Sequence, residues 1–318
     1  MRAVWIVAVC LVLVGAILIA SAFAMNNWSF AGLDTENFET NIHEIDQEFA
    51  SISIETDTAA LTFLPAADGK CRVECYESAG RKHTVSLRDN TLCIGATGQK
   101  NWYDHIGISF KSPRITVYLP VRDYETLAIA AKTGAVSLPT DFRFAGIDIA
   151  VTTGDVEVCA SAAGGIRIQT TTGRVRAEGL TADTLDISVT TGKVSLADAV
   201  CGGDIRIGVT TGKCTVSHVT CGNLSSEGST GDISLQNVIC AGKITLSRST
   251  GDLRLEGADA AELSLTTDTG DVTGTLLTDK SFAAHTDTGS LDLPEGGHGG
   301  RCEIRTDTGD IRISVQKK

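Results

Sequence analysis

Apolar and polar residues alternate on both sides of a Thr-Gly pair that recurs through the second half of the chain. Apolar residues stand seven and five positions before the Gly, and two and four positions after it. Examples are the pairs Ile147/Ile149, Leu185/Ile187, Val156/Val158 and Val194/Leu196. A period of two predicts β-strands with one buried face. Each repeat therefore holds two short strands, joined by a corner at which Gly permits a bend that other residues resist.

The Thr-Gly pair occurs ten times with nearly constant spacing. The glycines are Gly134, Gly154, Gly173, Gly192, Gly212, Gly231, Gly251, Gly270, Gly289 and Gly309. Neighbouring glycines are 19 or 20 residues apart. So short a unit cannot bury a core alone, but coils stacked about 4.7–4.9 Å apart bury one together. The pattern predicts an all-β fold, a parallel β-solenoid of about ten 19–20-residue coils over residues 127–318.

The preceding region, residues 50–126, also alternates but has no repeat. Segments such as "SISIETD", "CRVECYE" and "RITVYLP" stop at polar or turn residues, which is typical of short strands. We expect them to form an irregular β-rich N-terminal cap on the first edge of the solenoid. Residues 26–49 are polar, and we expect a juxtamembrane stalk there.

The first 25 residues are predicted to form a single transmembrane helix. From Ala3 to Met25 there is no charged residue, and at about 1.5 Å per residue this stretch spans a hydrocarbon core of roughly 30 Å. Arg2 precedes it, and no Lys or Arg follows until Lys70. The positive-inside rule then leaves the N-terminus in the cytoplasm and the remainder outside. A cleaved signal peptide is the alternative, because Ala22-Phe23-Ala24 resembles a cleavage site.

Composition adds two constraints. The formal net charge is −12, which argues against a nucleic-acid partner. Aromatic residues make up only 5% of the chain. We therefore expect a thin core of Val, Ile and Leu.

Asp-Thr-Gly occurs three times and is also the signature around the catalytic carboxylates of aspartic proteases, which use two. Here the Asp of the motif occupies the position two residues before the repeated Gly, where other residue types also occur. That position is occupied by Lys132, Thr152, Thr171, Thr190, Thr210, Ser229, Ser249, Asp268, Asp287 and Asp307. Three copies are one too many for a catalytic pair, and Thr stands where the protease signature has an apolar residue. The repeat explains the motif, and a protease is not expected.

The acidic residues beside the last corners form the candidate metal site. Asp268, Asp287 and Asp307 precede the Gly by two, while Asp271 and Asp310 follow it. All five point outward by parity, and stacked carboxylates repel one another. Either water and nearby Arg side chains screen them, or a cation such as Ca²⁺ bridges the column. Apart from this possible Ca²⁺, no cofactor is expected.

The cysteines and one glycine-rich segment have structural explanations. Cys201, Cys221 and Cys240 are 20 and 19 residues apart, so they occupy one column, as small apolar filler or as disulfide partners. Cys71 and Cys75 form a Cys-x3-Cys with no His companion and no second pair, so a metal site is not expected there. The segment "GGHGG" at 296–300 is predicted to be a flexible loop, since it lacks the Lys of a phosphate-binding loop.

The stretch "FASISIETDTAALTFLP" at 49–65, followed by "ITVYLP" at 115–120 and then the repeats, carries a family resemblance. Together with the N-terminal anchor it resembles the putative-adhesin family of bacterial β-strand-repeat proteins. It is similar to the membrane-anchored LiaG-like members associated with cell-envelope stress loci. The resemblance implies a right-handed β-helix-like domain outside the membrane. It brings no established catalytic residues.

These observations predict a non-enzymatic, adhesin-like binding or scaffolding domain on the outer side of the cell membrane. Its partner would be a cell-envelope component or a membrane protein. Two alternatives stay open. A β-helical carbohydrate-active enzyme also needs paired carboxylates, although such enzymes build clefts from long loops that this array lacks. A sensor arm regulating a membrane partner is the other.

Overall fold

The computed structural model describes residues 2–25, 37–96, 111–295 and 297–316. Helix α1 covers Arg2–Met25. The strands of the N-terminal part are β1 (Phe38–Ile45), β2 (Ser51–Thr56), β3 (Ala60–Pro65), β4 (Cys71–Ser78), β5 (His83–Arg88), β6 (Thr91–Ala96) and β7 (Arg114–Leu119).

Twenty further strands build the repeat array. They are β8 (Asp123–Thr133), β9 (Val136–Leu138), β10 (Arg143–Thr153), β11 (Val156–Val158), β12 (Ser161–Ala162), β13 (Gly165–Glu178), β14 (Thr181–Ala182), β15 (Thr184–Cys201), β16 (Asp204–Thr211), β17 (Cys214–Cys221), β18 (Asn223–Thr230), β19 (Ile233–Cys240), β20 (Lys243–Thr250), β21 (Leu253–Ala258), β22 (Glu262–Thr269), β23 (Val272–Leu276), β24 (Lys280–Thr288), β25 (Leu291–Asp292), β26 (Gly300–Thr308) and β27 (Ile311–Val315).

Helix α1 is 24 residues long. Its apolar side chains Trp5, Leu11 and Val12 are exposed. Among the residues whose side chains are described, no helix is long and apolar enough to count as a membrane span.

The array is a parallel β-solenoid of about nine turns, which confirms the all-β solenoid fold, although about ten coils were predicted. Strands one coil apart pair in parallel and in register, so residues at equal positions stack. Leu127, Ile147, Ile166, Leu185 and Ile205 form one such column, and all five are buried. Period-two alternation therefore sends every second side chain of each coil into one continuous core.

The five coils with corner glycines Gly173 to Gly251 have a third, short side that the two-strand interpretation of the repeat missed. It begins six residues after the Thr-Gly glycine, where the backbone turns through the left-handed region. The residues at this corner are Gly179, Asp198, His218, Asn237 and Gly257, with φ between 51° and 66°. Gly, Asn, Asp and His are the residue types that tolerate this conformation. Small side chains then fill the third side, among them Ala182, Cys201 and Cys221, all buried.

Both ends of the solenoid depart from chain order. At the C-terminal end, β26 pairs with both β22 and β24, so the last coil of the chain lies between the two coils that precede it. At the N-terminal end, β2 pairs with both β6 and β8. The repeat predicts that each coil bonds to the next, and at the C-terminal end that prediction is wrong; at the N-terminal end an irregular cap was expected.

The glycine-rich segment precedes strand β26, which returns along the solenoid to lie between β22 and β24. A Cβ on Gly297 or Gly299 would lie 1.7 Å from the backbone oxygen of Lys280 or Asp279. The His298 amide donates to Asp279 Oδ2 at 3.1 Å. The described part of the segment is therefore packed tightly against the preceding turn, and its glycines are required by close contact. Gly296 lies outside the described residues.

Antiparallel strands cover the first edge of the solenoid. Strand β5 pairs with β6, β4 pairs with β7, and β1 pairs with β4. Of the predicted stalk, residues 26–36 lie outside the described residues. Phe38–Ile45 is strand β1 and Phe49 is buried in the core, so the folded part begins before residue 50.

Candidate functional site

The Thr-Gly corner is a backbone contact between coils. A Cβ on Gly154 would lie 2.0 Å from the carbonyl oxygen of Gly134, and one on Gly192 would lie 1.8 Å from that of Gly173. These glycines also have φ of 154° and 159°. Any larger residue would separate adjacent coils at the corner. The ten-fold repetition of Gly is thus explained by stacking.

The Asp that often follows the Gly bonds to the next coil. Asp232 Oδ1 accepts the Asp252 amide at 3.2 Å, and Asp252 Oδ1 accepts the Asp271 amide at 3.0 Å. Asp271 Oδ1 accepts the Asp310 amide, and Asp310 Oδ1 the Ser290 amide, both at 2.8 Å. Each carboxylate satisfies an amide that the corner would otherwise leave unpaired.

Arginines beside this column balance its charge. Arg254 contacts Asp252 at 2.6 Å, and Arg174 contacts Asp155 at 2.7 Å. The side-chain hydrogen bond from Arg174 holds the pKa of Asp155 below its usual value, with a further contribution from the Arg174 amide. For Asp310 the Ser290 amide is the first cause of a lowered pKa. Donors from neighbouring coils therefore favour the ionised form of Asp155 and Asp310.

A second, inward column explains the Thr that stands three before the Gly. Thr267 Oγ1 donates to the Gly251 carbonyl at 2.9 Å, and Thr306 Oγ1 donates to the Gly270 carbonyl at 3.0 Å. In the coil of Gly251 the same position is Arg248, which is 2% exposed and donates to the Gly231 carbonyl at 3.1 Å. The carbonyls of Gly231, Gly251 and Gly270 thus accept a hydrogen bond from within the core, whereas the Thr170 hydroxyl at the same position has no hydrogen-bond partner among the described residues.

The residues of the predicted cation column do stack, but their order in the stack differs from their order in the chain. Because β26 lies between β22 and β24, Asp307 stands between Asp268 and Asp287. Asp287 Oδ1 faces His285 Nε2 at 2.8 Å, and Asp307 Oδ1 faces Arg305 Nη2 at 3.3 Å. The other two candidates, Asp271 and Asp310, use Oδ1 to bond amides. Calcium binding by these five carboxylates stays a prediction.

The outer face of β8, β10, β13 and β15, here called the long face, is an open polar surface. It holds two shallow depressions of about 590 and 450 Å³. Their floors contain small side chains such as Ala128, Ala130 and Ser188. Asp148, Arg167, Asp186 and Arg206 occupy one position in consecutive coils of this face. Charges alternate along it at the coil spacing of about 4.8 Å.

The predicted cysteine column is present. Cys221 and Cys240 are direct neighbours in adjacent coils, with their Sγ atoms 3.1 Å apart. No disulfide bond joins any of the described cysteines in the structure. Burial raises the pKa of Cys71, Cys75 and Cys302 to about 12, so without a bound metal these thiols remain protonated and are poor nucleophiles.

One cluster was missed by sequence reasoning. Cys75 and Glu77 of β4 meet His83 of β5, and their ligand atoms all lie within 4.8 Å of one another. Glu77 follows Cys71, Val73 and Cys75 on the buried face of the strand. An acidic residue at an inward position was the available signal. The partner His83 could not be identified, because the pairing depends on how β4 and β5 pack.

A family model described as Toastrack DUF4097 matches residues 49–209 and 200–318. No curated protein matches the chain. The solved structure of a putative lipid binding protein from Parabacteroides distasonis ATCC 8503 is 13% identical, covers 89% of this chain and 98% of that chain, and has a TM-score of 0.50.

Two putative adhesins are also similar in structure. The one from Parabacteroides distasonis ATCC 8503 is 11% identical and covers 89% of this chain and 98% of that chain, with a TM-score of 0.49. The one from Bacteroides fragilis NCTC 9343 is 14% identical and covers 89% and 99%, with a TM-score of 0.44. At these identities the likeness concerns the fold.

Proposed function

This chain belongs to the Toastrack DUF4097 family, and we propose that it is a non-enzymatic, adhesin-like binding or scaffolding domain held on the outer side of the cell membrane. Its ligand is an extended component of the cell envelope, or an exposed segment of a membrane protein. The proposal rests on surface geometry and residue chemistry.

The long face is the observation that carries this proposal. Its depressions are shallow and open, with small residues on the floor and charged residues at regular intervals. A small substrate would be poorly enclosed there, whereas binding sites for small molecules usually bury most of the ligand. An extended polymer can contact several coils at once, because each coil repeats the same outward positions.

Anchoring is proposed from the N-terminal sequence. The uncharged segment from Ala3 to Met25 would span the bilayer, and Arg2 would hold the N-terminus in the cytoplasm. The resemblance to LiaG-like proteins supports this placement and a link to envelope stress. Protease added to intact cells after wall removal should then destroy a C-terminal tag. A protected tag would reverse the topology.

Binding is tested by co-sedimentation of the full chain, in detergent, with purified cell-wall polysaccharide. The test variant replaces Arg167 and Asp186 on the long face by Ser. The matched control replaces Glu157 and Arg176, a salt-bridged pair at 3.8 Å elsewhere on the surface, by Ser. Each double variant removes one acid and one base, so the net charge is unchanged.

We expect the long-face variant to lose binding and the control to retain it. Equal binding by both variants would contradict the assignment of the face. Release of soluble sugar from the polysaccharide would contradict the non-enzymatic proposal and favour the β-helical carbohydrate-active enzyme. Absence of polysaccharide binding together with capture of a membrane protein through the long face would assign the membrane protein as the ligand, and a change in the activity of that protein on binding would favour the sensor arm.

A further inference from the structure

Three potential metal ligands meet where the antiparallel cap joins the first coils. Cys75 is fully buried and Glu77 is 1% exposed, and the His83 side chain is 8% exposed. Cys75 and Glu77 are two residues apart on β4, so they share one face of the strand. His83 begins β5, just beyond the turn that follows β4. Thiol sulfur, imidazole nitrogen and carboxylate oxygen are the three ligand types that Zn²⁺ accepts.

We propose that Cys75, Glu77 and His83 bind a zinc ion that fastens the cap to the solenoid. Bond lengths of about 2.0–2.3 Å in a tetrahedral site place the ligand atoms about 3.3–3.6 Å apart. The three atoms already lie within 4.8 Å of one another. His83 Nδ1 and Glu77 Oε2 are 2.7 Å apart, so they would separate by less than about 1 Å. Three protein ligands leave the fourth position to a water molecule.

Charge favours a divalent ion at this position. A buried carboxylate is costly unless it is paired. Zn²⁺ with a Cys75 thiolate, a Glu77 carboxylate and a neutral His83 has no formal net charge. Binding transfers the thiol proton to solvent and forms the Zn–S bond, with no redox change. The ion would thus replace the contact between His83 Nδ1 and Glu77 Oε2, now 2.7 Å apart, by a complex with no net charge.

The surrounding hydrogen bonds suit a metal ligand set. Asn41 Nδ2 of β1 donates to Glu77 Oε1 at 2.8 Å, while Oε2 accepts the His83 amide at 2.6 Å and faces His83 Nδ1. His83 Nε2 lies 3.1 Å from Thr56 Oγ1 of β2. With Nδ1 on the metal, Nε2–H donates to this hydroxyl and fixes the ring, as partners of metal-bound His commonly do. The ion would connect β4 and β5 directly, and β1 and β2 through these contacts.

Cobalt(II) gives a direct readout, because thiolate coordination produces a charge-transfer band in the near ultraviolet. The full chain is purified in detergent, stripped with a chelator and titrated with Co²⁺, followed by displacement with Zn²⁺. Cys75→Ser removes the thiolate ligand. Cys71→Ser is the matched control, since Cys71 is buried on the same face of β4 but is not part of the cluster.

We expect one ion per chain, with a thiolate band that Cys75→Ser abolishes and Cys71→Ser retains. Zn²⁺ should raise the melting temperature of the wild-type chain by several degrees, because it binds only the folded state. A wild-type chain with no saturable band and no thermal shift would overturn the proposal. So would a band that survives Cys75→Ser. If Cys75→Ser does not fold, Glu77→Gln and His83→Gln decide the outcome, since each should weaken Co²⁺ binding at least tenfold.

Discussion

Gly289 packs against Gly309, twenty residues later in the chain, and not against Gly270, nineteen residues earlier. A Cβ on Gly289 would lie 2.0 Å from the Gly309 carbonyl oxygen, and a Cβ on Gly309 would lie 2.0 Å from that of Gly270. The coil that ends the chain has therefore inserted between its two predecessors.

The inward residues of the two exchanged coils give a physical reason. The inserted coil contributes Cys302, Ile304 and Ile311, all buried. The displaced coil contributes Phe282 and Ala284, which stay partly exposed at the end of the stack. Placing the more apolar coil in the interior buries more hydrophobic surface. The less apolar coil then takes the exposed end.

Cysteine cross-linking tests this order. Thr269 pairs with Thr308, and Thr308 pairs with Thr288; all three are exposed. Thr269→Cys with Thr308→Cys should react rapidly with a short bifunctional thiol reagent. Thr269→Cys with Thr288→Cys should not, because two coil steps of about 4.8 Å separate them. The pair of Thr250→Cys and Thr269→Cys, from adjacent coils, is the positive control. Cross-linking of 269 with 288 alone would restore consecutive stacking.

The sequence predicts the strands and the buried side chains of each coil, but it does not predict the order in which the coils stack. The column of Ile147, Ile166 and Leu185 follows from alternation alone, because inward parity is a local property. Coil order is not local: every Thr-Gly corner presents the same register, so several stacking orders satisfy the pattern equally well. The order depends on differences in burial between coils such as those at Gly289 and Gly309.

The candidate site likewise has features that the sequence predicts and features that it does not. The outward position of Asp271 and Asp310 was predictable, and repulsion between them was expected. Their bonds to amides of the next coil were not predictable, because they depend on the path of a neighbouring backbone. The contact between Glu77 and His83 was likewise not predictable from the sequence, since it requires the antiparallel strands of the cap to be packed together.

Substitution of a corner glycine should be strongly destabilising. A Cβ on Gly192 would lie 1.8 Å from the Gly173 carbonyl, so Gly192→Ala must separate two coils. We expect a loss of several kcal/mol, above the range of about 0.5–3 kcal/mol typical of point variants, measured by urea unfolding. Gly208→Ala is the control, because the nearest atom to its Cβ is Ser188 Oγ at 3.9 Å. Equal losses for both variants would contradict the stacking explanation.

The two acidic columns should respond differently to substitution. Replacing Asp268, Asp287 and Asp307 by Thr removes stacked charges and adds β-branched side chains. It should leave stability equal or raise it by about 0.2–1 kcal/mol per relieved pair. Replacing Asp271 by Ala leaves the Asp310 amide without its acceptor, at a cost of about 1–3 kcal/mol.

Thermal unfolding with and without Ca²⁺ measures both effects. A Ca²⁺-dependent rise in melting temperature that the Thr variant loses would establish the predicted metal column. Without such a rise, the order of stability should place the Thr variant at or above wild type and Asp271→Ala below it. Loss of stability in the Thr variant without any Ca²⁺ response would contradict the assignment of that column to solvent.

The lowered pKa of Asp155 predicts that the stability of the folded state depends on pH. Arg174 lowers the pKa of this carboxyl in the folded state, while the unfolded chain keeps its ordinary value of 3.8. The unfolded state therefore binds the proton more readily. The stabilisation from the ionised carboxylate is complete above pH 3.8 and is lost as the pH falls through the lower, folded-state pKa.

Asp155→Asn cannot ionise, so it should be less stable than wild type at pH 7, with a difference that shrinks as the pH falls below 3.8. Urea unfolding across this range measures the difference, and a carbon NMR titration of the Asp155 carboxyl measures the pKa directly. In an Arg174→Met background the same substitution should show a weaker pH dependence, because the first cause of the lowered pKa is absent. A stability difference between wild type and Asp155→Asn that is constant with pH, or that grows toward acid, would contradict the role of this ion pair between coils.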